Sequence, residues 1–144
     1  MGKLILQTER LLLREMEDED FSALCRMLRD PEVMYAYEHA FDDAEVDEWL
    51  DRQINRYRQD GFGLWAVILK KTGEMIGQCG LTLQDIEDRQ VLEIGYLFER
   101  AYWHQGYATE AAAACIPRND FVSTDAARWY ISSSSVMSRR STHI

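Results

Sequence analysis

Residues 93–114 read EIGYLFERAYWHQGYATEAAAA, and this stretch decides the fold. The apolar run from Val91 to Phe98 has the length and composition of a strand. It breaks at Glu99-Arg100. A short loop then leads to Gly106, and an alanine-rich helix begins near Ala108. A strand, a loop and a glycine at the mouth of a helix make a ready anion site. The first backbone N–H groups of a helix have no intrahelical partner, and the helix dipole adds partial positive charge there. Gly106 has no side chain, so a phosphate can approach the backbone closely.

Upstream, three strands are predicted. Gly63 to Leu69 is followed by the turn Lys70-Lys71-Thr72-Gly73. Glu74 to Leu83 comes next, with Gly77 and Gly80 as points of bulging or close approach. Val91 to Phe98 is the third. Two helices precede them. Asp18 can cap one whose apolar residues Phe21, Leu24, Cys25 and Leu28 follow helical spacing, and Asp30-Pro31 stops it. Asp42 or Asp43 caps the other, with Val46, Trp49, Leu50, Ile54 and Tyr57 on one face and Gly61 closing it. Leu4 to Arg14 reads as one buried strand. The predicted order is βααβββα.

On these residues the chain resembles the GNAT N-acetyltransferase superfamily, and within it the branch of ribosomal-protein-alanine N-acetyltransferases. The branch carries a strand like EIGY followed by YWxxGYATEA, here Tyr102 to Ala111. The TERLLLRE opening, Thr8 to Glu15, is similar to the family's first strand. The superfamily pattern is (Gln/Arg)-x-x-Gly-x-(Gly/Ala). Gly106 and Ala108 fit it, and Trp103 stands where Gln or Arg is usual, a departure the branch shares. The resemblance spans residues 4–116. It implies a mixed α/β fold with a central, mostly antiparallel sheet flanked by helices and an incomplete C-terminal part. It also implies acetyl-CoA as co-substrate, a primary amine as acceptor, and no metal.

Composition is consistent with that reading. The 144 residues fit one domain, and a 47% apolar share can form a core. No apolar run approaches a membrane span and no charged-then-apolar leader opens the chain, so a cytoplasmic protein is expected. Cys25, Cys79 and Cys115 lie in apolar stretches without metal spacing and read as buried thiols. The formal charge of −9 argues against nucleic acid as a partner. It suits a cationic acceptor, or simply keeps the domain soluble.

The charge is uneven. Residues 1–116 hold 12 Lys and Arg against 23 Asp and Glu, and residues 117–144 hold 4 against 2. Pro117 should end the Ala108 helix near Cys115 or Ile116. Residues 118–131 contain one plausible strand, Ala127 to Ile131. Residues 132–144 have six serines in thirteen and no periodicity, a composition that does not fix itself by burial. The domain is therefore 1–116, and 117–144 is an atypical, partly disordered tail that reads as a truncation or a shifted frame. A sheet cut after its fourth strand would expose an edge, which a second copy of the chain could cover.

Acetyl transfer to an amine needs both substrates held, a proton removed and an oxyanion stabilised. By resemblance, the pyrophosphate falls to the turn of Gln105, Gly106, Tyr107, Ala108 and Thr109. The backbone of Leu97 and Phe98 would meet the pantetheine arm. Glu93 would act as general base, directly or through water, and that role needs a carboxyl raised by partial burial. Its alternative is an ordinary strand carboxylate paired with Arg89 or Arg100. His104, with Arg100 beside it, would help neutralise phosphates or stand idle in solvent. Tyr35, Tyr37 and His39, with Phe41, would line the acceptor pocket or merely pack. An acetyltransferase is the first reading, a non-catalytic module binding CoA or a protein partner the alternative.

Overall fold

The computed structural model describes residues 2–116 and 129–133. Their elements run β1 (Leu4–Gln7), β2 (Leu11–Arg14), a 3₁₀ turn (Asp18–Asp20), α1 (Phe21–Leu28), α2 (Asp43–Asp60), β3 (Leu64–Leu69), β4 (Met75–Ile86), β5 (Arg89–Phe98), a second 3₁₀ turn (Arg100–Tyr102), α3 (Tyr107–Cys115) and β6 (Trp129–Ser133). The strands form one sheet in chain order. Every pairing is antiparallel except β5 with β6. The fold is thus mixed α/β with a mostly antiparallel sheet, as expected.

Side-chain alternation sorts the core into two layers. All six residues of β3 are buried. Trp65, Val67 and Leu69 pack on one face with Leu11, Leu13, Ile76 and Leu92, and there Ala111 and Cys115 of α3 close the layer. Leu64, Ala66 and Ile68 pack on the other face against Leu24, Met27 and Leu28 of α1 and Val46, Trp49 and Leu50 of α2. A strand covered on both faces reads as a continuous apolar run, which is why β3 is legible as LWAVIL. Several polar groups buried in these layers are paired. The indole N–H of Trp49 donates to Gln78 Oε1 at 2.8 Å, and the Arg14 guanidinium makes two 2.8 Å bonds to buried Asp20.

The signals for α2 are in place, but Asp18 does not cap α1: it opens the 3₁₀ turn behind Glu17, and Asp20 stands at the α1 N-cap without a side-chain cap bond. Asp42 caps α2 through a capping box with Glu45, and Gly61 ends it in the left-handed conformation. Helix α3 stops at Cys115, two residues before Pro117. Cys79 and Cys115 are buried free thiols, their sulfurs 3.8 Å apart. That contact, together with burial, pushes the Cys79 thiol well up. Cys25 is half-buried.

Two further sequence expectations are corrected. Leu4 to Arg14 is a hairpin, not one strand. The Thr8 N–H donates to the Leu11 carbonyl at 2.9 Å, and the Leu11 N–H donates back to Thr8 Oγ1 at 3.1 Å, so the chain reverses. An unbroken run of leucines hides a turn held by a threonine side chain. The sheet also does not end at β5. Strand β6 pairs parallel with β5 from Leu92↔Trp129 to Tyr96↔Ser133. The edge on which a second copy was expected to dock is covered along that length. Of the predicted strand Ala127 to Ile131, the part from Trp129 onward falls in β6. The rest of the tail lies outside the described residues.

Candidate active site

The end of β5 divides two clefts. Alternation points Leu92, Ile94 and Phe98 toward the α3 layer, and Leu97 toward the α1/α2 layer. One cleft, of about 160 Å³, is lined by Tyr96, Phe98, Trp103, His104, Gly106, Tyr107, Ala108 and Thr109, with Tyr102 at its side. The other, of about 180 Å³, is lined by Tyr37, Trp49, Arg52, Arg56, Thr82, Gln84 and Glu93, with Leu64, Gly95 and Leu97 beneath. Tyr96 belongs to both.

The first cleft ends at the α3 N-terminus. Gly106 is the N-cap, with φ +84°, and no side chain caps the helix. Glu110 N–H makes the first intrahelical bond, to the Gly106 carbonyl at 3.0 Å. The N–H groups of Tyr107, Ala108 and Thr109 precede it, so the first turn can hold an anion. His104 is exposed and also left-handed, with φ +65°. Arg100 is turned away from His104. Its Nε lies 3.2 Å from Asp30, just after α1.

The turn is braced from across the sheet. Glu110 accepts from the Thr8 hydroxyl at 2.5 Å, the Arg10 N–H at 2.9 Å and Arg10 Nε at 2.7 Å. Arg10 Nη1 donates to the Gln105 carbonyl at 3.0 Å, and its guanidinium lies over the Tyr107 ring at 4.4 Å. Burial alone would raise the Glu110 carboxyl. The bonds from Thr8 and Arg10 outweigh it and hold the group below its ordinary value. The β1–β2 hairpin thereby fixes the loop that opens α3.

Trp103, the departure from the superfamily pattern, has a local task. Its indole N–H donates to the Phe98 carbonyl at 2.8 Å. The β6 register ends at Tyr96, so Leu97 and Phe98 run past the last β6 pair. The Phe98 carbonyl is engaged by the indole.

In the second cleft, Glu93 is half-buried, opposite Thr82 in the β4 register. Its charge acts on two neighbours. Burial and then Glu93 push the Tyr37 hydroxyl up. Burial and then Arg52 push the Arg56 guanidinium down, while Asp60 and Glu93 pull it back up. Of the three tyrosine and histidine candidates, only Tyr37 lines this cleft, where it stacks edge-on to Trp49. Tyr35 is 53% exposed and outside the lining. His39 is exposed and bonds Glu45 Oε2 at 2.7 Å. That bond raises the His39 ring above its ordinary value.

Sequence reasoning missed Arg52, Arg56, Thr82, Gln84 and Tyr96, and the Thr8–Arg10–Glu110 brace. A signal existed for the arginines. Trp49, Arg52, Gln53 and Arg56 stand at i, i+3, i+4 and i+7 on α2, one helix face. Among the described residues no cluster of three metal-binding side chains occurs, and no helix is long and apolar enough to cross a membrane.

The arrangement matches known proteins. A family model described as the acetyltransferase (GNAT) domain covers residues 10–140. Uncharacterized protein YkkB of Bacillus subtilis (strain 168) is 44% identical over 116 residues, which are 80% of this chain and 67% of that protein. Uncharacterized N-acetyltransferase p20 of Bacillus licheniformis is 39% identical over 113 residues, 77% of this chain and 63% of that protein. The chain thus spans about two thirds of the length of these curated relatives. The crystal structure of an acetyltransferase from Agrobacterium tumefaciens str. C58 superposes with TM-score 0.71 at 27% identity, over 91% of this chain and 75% of that one.

Proposed function

The chain belongs to the GNAT acetyltransferase family, and on that premise we propose that it moves an acetyl group from acetyl-CoA to a primary amine, a protein N-terminus or a small molecule. One observation carries this reading. Two clefts meet at Tyr96 on β5, one ending in the uncapped helix turn at Gly106 and the other holding Glu93.

In this reading the N–H groups from Tyr107 to Thr109 bind the pyrophosphate, and Gln105, Gly106 and His104 shape the approach. Leu97 and Phe98 flank the pantetheine arm, with the Phe98 N–H as the outward donor, because the Leu97 backbone faces β4 and the indole of Trp103 engages the Phe98 carbonyl. The acceptor amine enters from the Tyr37 side. Its nitrogen lone pair attacks the thioester carbonyl carbon, the C–S bond breaks, and the thiolate leaves and takes a proton. The proton lost by the amine goes to Glu93, directly or through water.

The test pairs turnover with binding. Purified protein should release free thiol from acetyl-CoA in the presence of an amine panel. Gly106→Glu puts bulk and negative charge at the pyrophosphate, so CoA affinity in calorimetry should fall more than tenfold, about 1.4 kcal/mol or more. Equal CoA affinity in a folded Gly106→Glu variant would remove the site assignment. CoA binding without turnover for any amine would favour a non-catalytic module.

A further inference from the structure

We propose that the acceptor carries a carboxylate close to its reacting amine, and that Arg52 and Arg56 hold it. The inference rests on the acetyl-transfer reading, and it deepens that reading by giving the acceptor a chemical class.

The two guanidinium groups stand one helical turn apart on α2 and line the same small cleft as Glu93. Among the described residues, neither is within ion-pair distance of a carboxylate. Arg56 Nη1 donates to a neutral amide, Gln53 Oε1, at 3.1 Å. Burial and the neighbouring Arg52 both work against the Arg56 charge, and Asp60 and Glu93 offset them only in part. Two adjacent cations, Arg56 half-buried and Arg52 exposed, lower their mutual repulsion by taking up an anion, and a planar guanidinium matches a carboxylate edge to edge.

Another wall of the cleft carries the opposite charge. Glu93 faces the cleft from β5 and suits an ammonium or an amine. The cleft therefore offers a negative group and a positive pair within one small volume of about 180 Å³. That is below the size of drug-like sites, roughly 300–1,000 Å³. It fits the head of a molecule rather than a folded surface. A zwitterion with amine and carboxylate a few bonds apart satisfies both walls. Thr82 and Gln84, tied by a 2.9 Å bond from Gln84 Nε2 to Thr82 Oγ1, give the polar floor between them. The net negative charge of the whole chain acts at longer range and does not decide this local preference.

The carboxylate has two possible sources: a free amino acid, or an acidic residue next to a peptide N-terminus. Two probe pairs separate them. One is alanine against alaninamide. The other is Ala-Glu-amide against Ala-Gln-amide. Binding to the CoA-saturated protein is measured by calorimetry, and acetylation by thiol release. The charged member of one pair should bind at least tenfold more tightly than its neutral partner. In Arg52→Gln and Arg56→Gln the ratio should collapse to within twofold, and Arg52→Lys should restore part of it. CoA affinity, titrated separately for each variant, reports that it is folded. Equal affinity within both pairs, a preference that survives both Gln variants, or no binding by any probe overturns the proposal. Acetylation of a lysine-rich peptide without carboxylate preference leaves acetyl transfer standing and sinks only this inference. Carboxylate-selective binding without acetyl transfer to any amine does the reverse.

Discussion

Glu93 reaches the cleft beside α2 through the two-residue period of β5, which also sends its neighbours Leu92 and Ile94 into the opposite layer. A carboxylate at that position is half-buried, beside a tyrosine and two arginines. Glu93→Gln keeps the shape and removes the base. On the reading proposed above, kcat should fall on the order of 10²-fold, with KM for acetyl-CoA little changed. The acidic limb of the kcat–pH profile should flatten in the variant. A wild-type rate with an intact acidic limb would move proton removal to another group. Tyr37 and Tyr35 show how far residue type alone carries. Both are tyrosines in one irregular segment, yet only Tyr37 lines the cleft. A segment without a period gives no rule for which side chain borders the cleft.

Helix α3 is short, nine residues, and isolated helices of that length are marginal in water. Its N-terminus therefore depends on tertiary partners, and Glu110 supplies them. The carboxylate ties the first turn to Thr8 and Arg10, some hundred residues earlier in the chain. Glu110→Gln removes the ionic partner of Arg10 and loosens the Gln105–Thr109 turn. KM for acetyl-CoA should rise several-fold with kcat near wild type, and the amides of 107–111 should exchange faster. The pH dependence has a definite sign. The carboxyl is held below its ordinary value of 4.5 in the folded protein. Its contribution to stability is present above that value and is lost as pH falls through the lower folded one. The acid-unfolding midpoint of the wild type should thus lie at lower pH than predicted without the brace, and the Glu110→Gln variant should lose that part of the pH dependence. An identical acid-unfolding curve would mean that the brace does not load the helix. This also explains what sequence reading could reach. Gly106 was legible because its requirement is local: a left-handed residue at a helix mouth. Asp42 and Gly61 were legible for the same reason. The Thr8–Glu110 contact was not, because nothing in the neighbourhood of either residue points to the other. The β1–β2 turn was missed because the Leu-rich run on either side of it satisfies a strand pattern with or without a break.

At the scale of the whole molecule, the two clefts depend on how closely β3 and β4 approach where α2 feeds into the sheet. Gly80 and Gly95 are cross-strand partners on β4 and β5, yet their surroundings differ. A Cβ on Gly80 would lie 2.0 Å from the Gly63 carbonyl oxygen and 2.9 Å from Leu64 Cα, both backbone atoms that cannot rotate away. A Cβ on Gly95 would meet only Leu64 Cδ2, at 3.6 Å, an ordinary contact. The Leu81 N–H bonds the same Gly63 carbonyl at 3.1 Å, so forcing it outward also strains a hydrogen bond. Gly80→Ala must then part the strands and shift Leu64, which lines the cleft that holds Glu93. The expected cost is about 2–3 kcal/mol, the range for overpacking a tight core. For a chain of this size that is a fall of roughly 5–10 °C in Tm. Gly95→Ala should stay within about 1 kcal/mol of wild type, because the contact it adds is one that cores accept. Thermal melts of the two variants side by side decide the matter. Equal losses would show that the sheet yields at Gly80 as easily as at Gly95. The close packing of β4 against Gly63 would then not be what fixes the spacing between the two clefts.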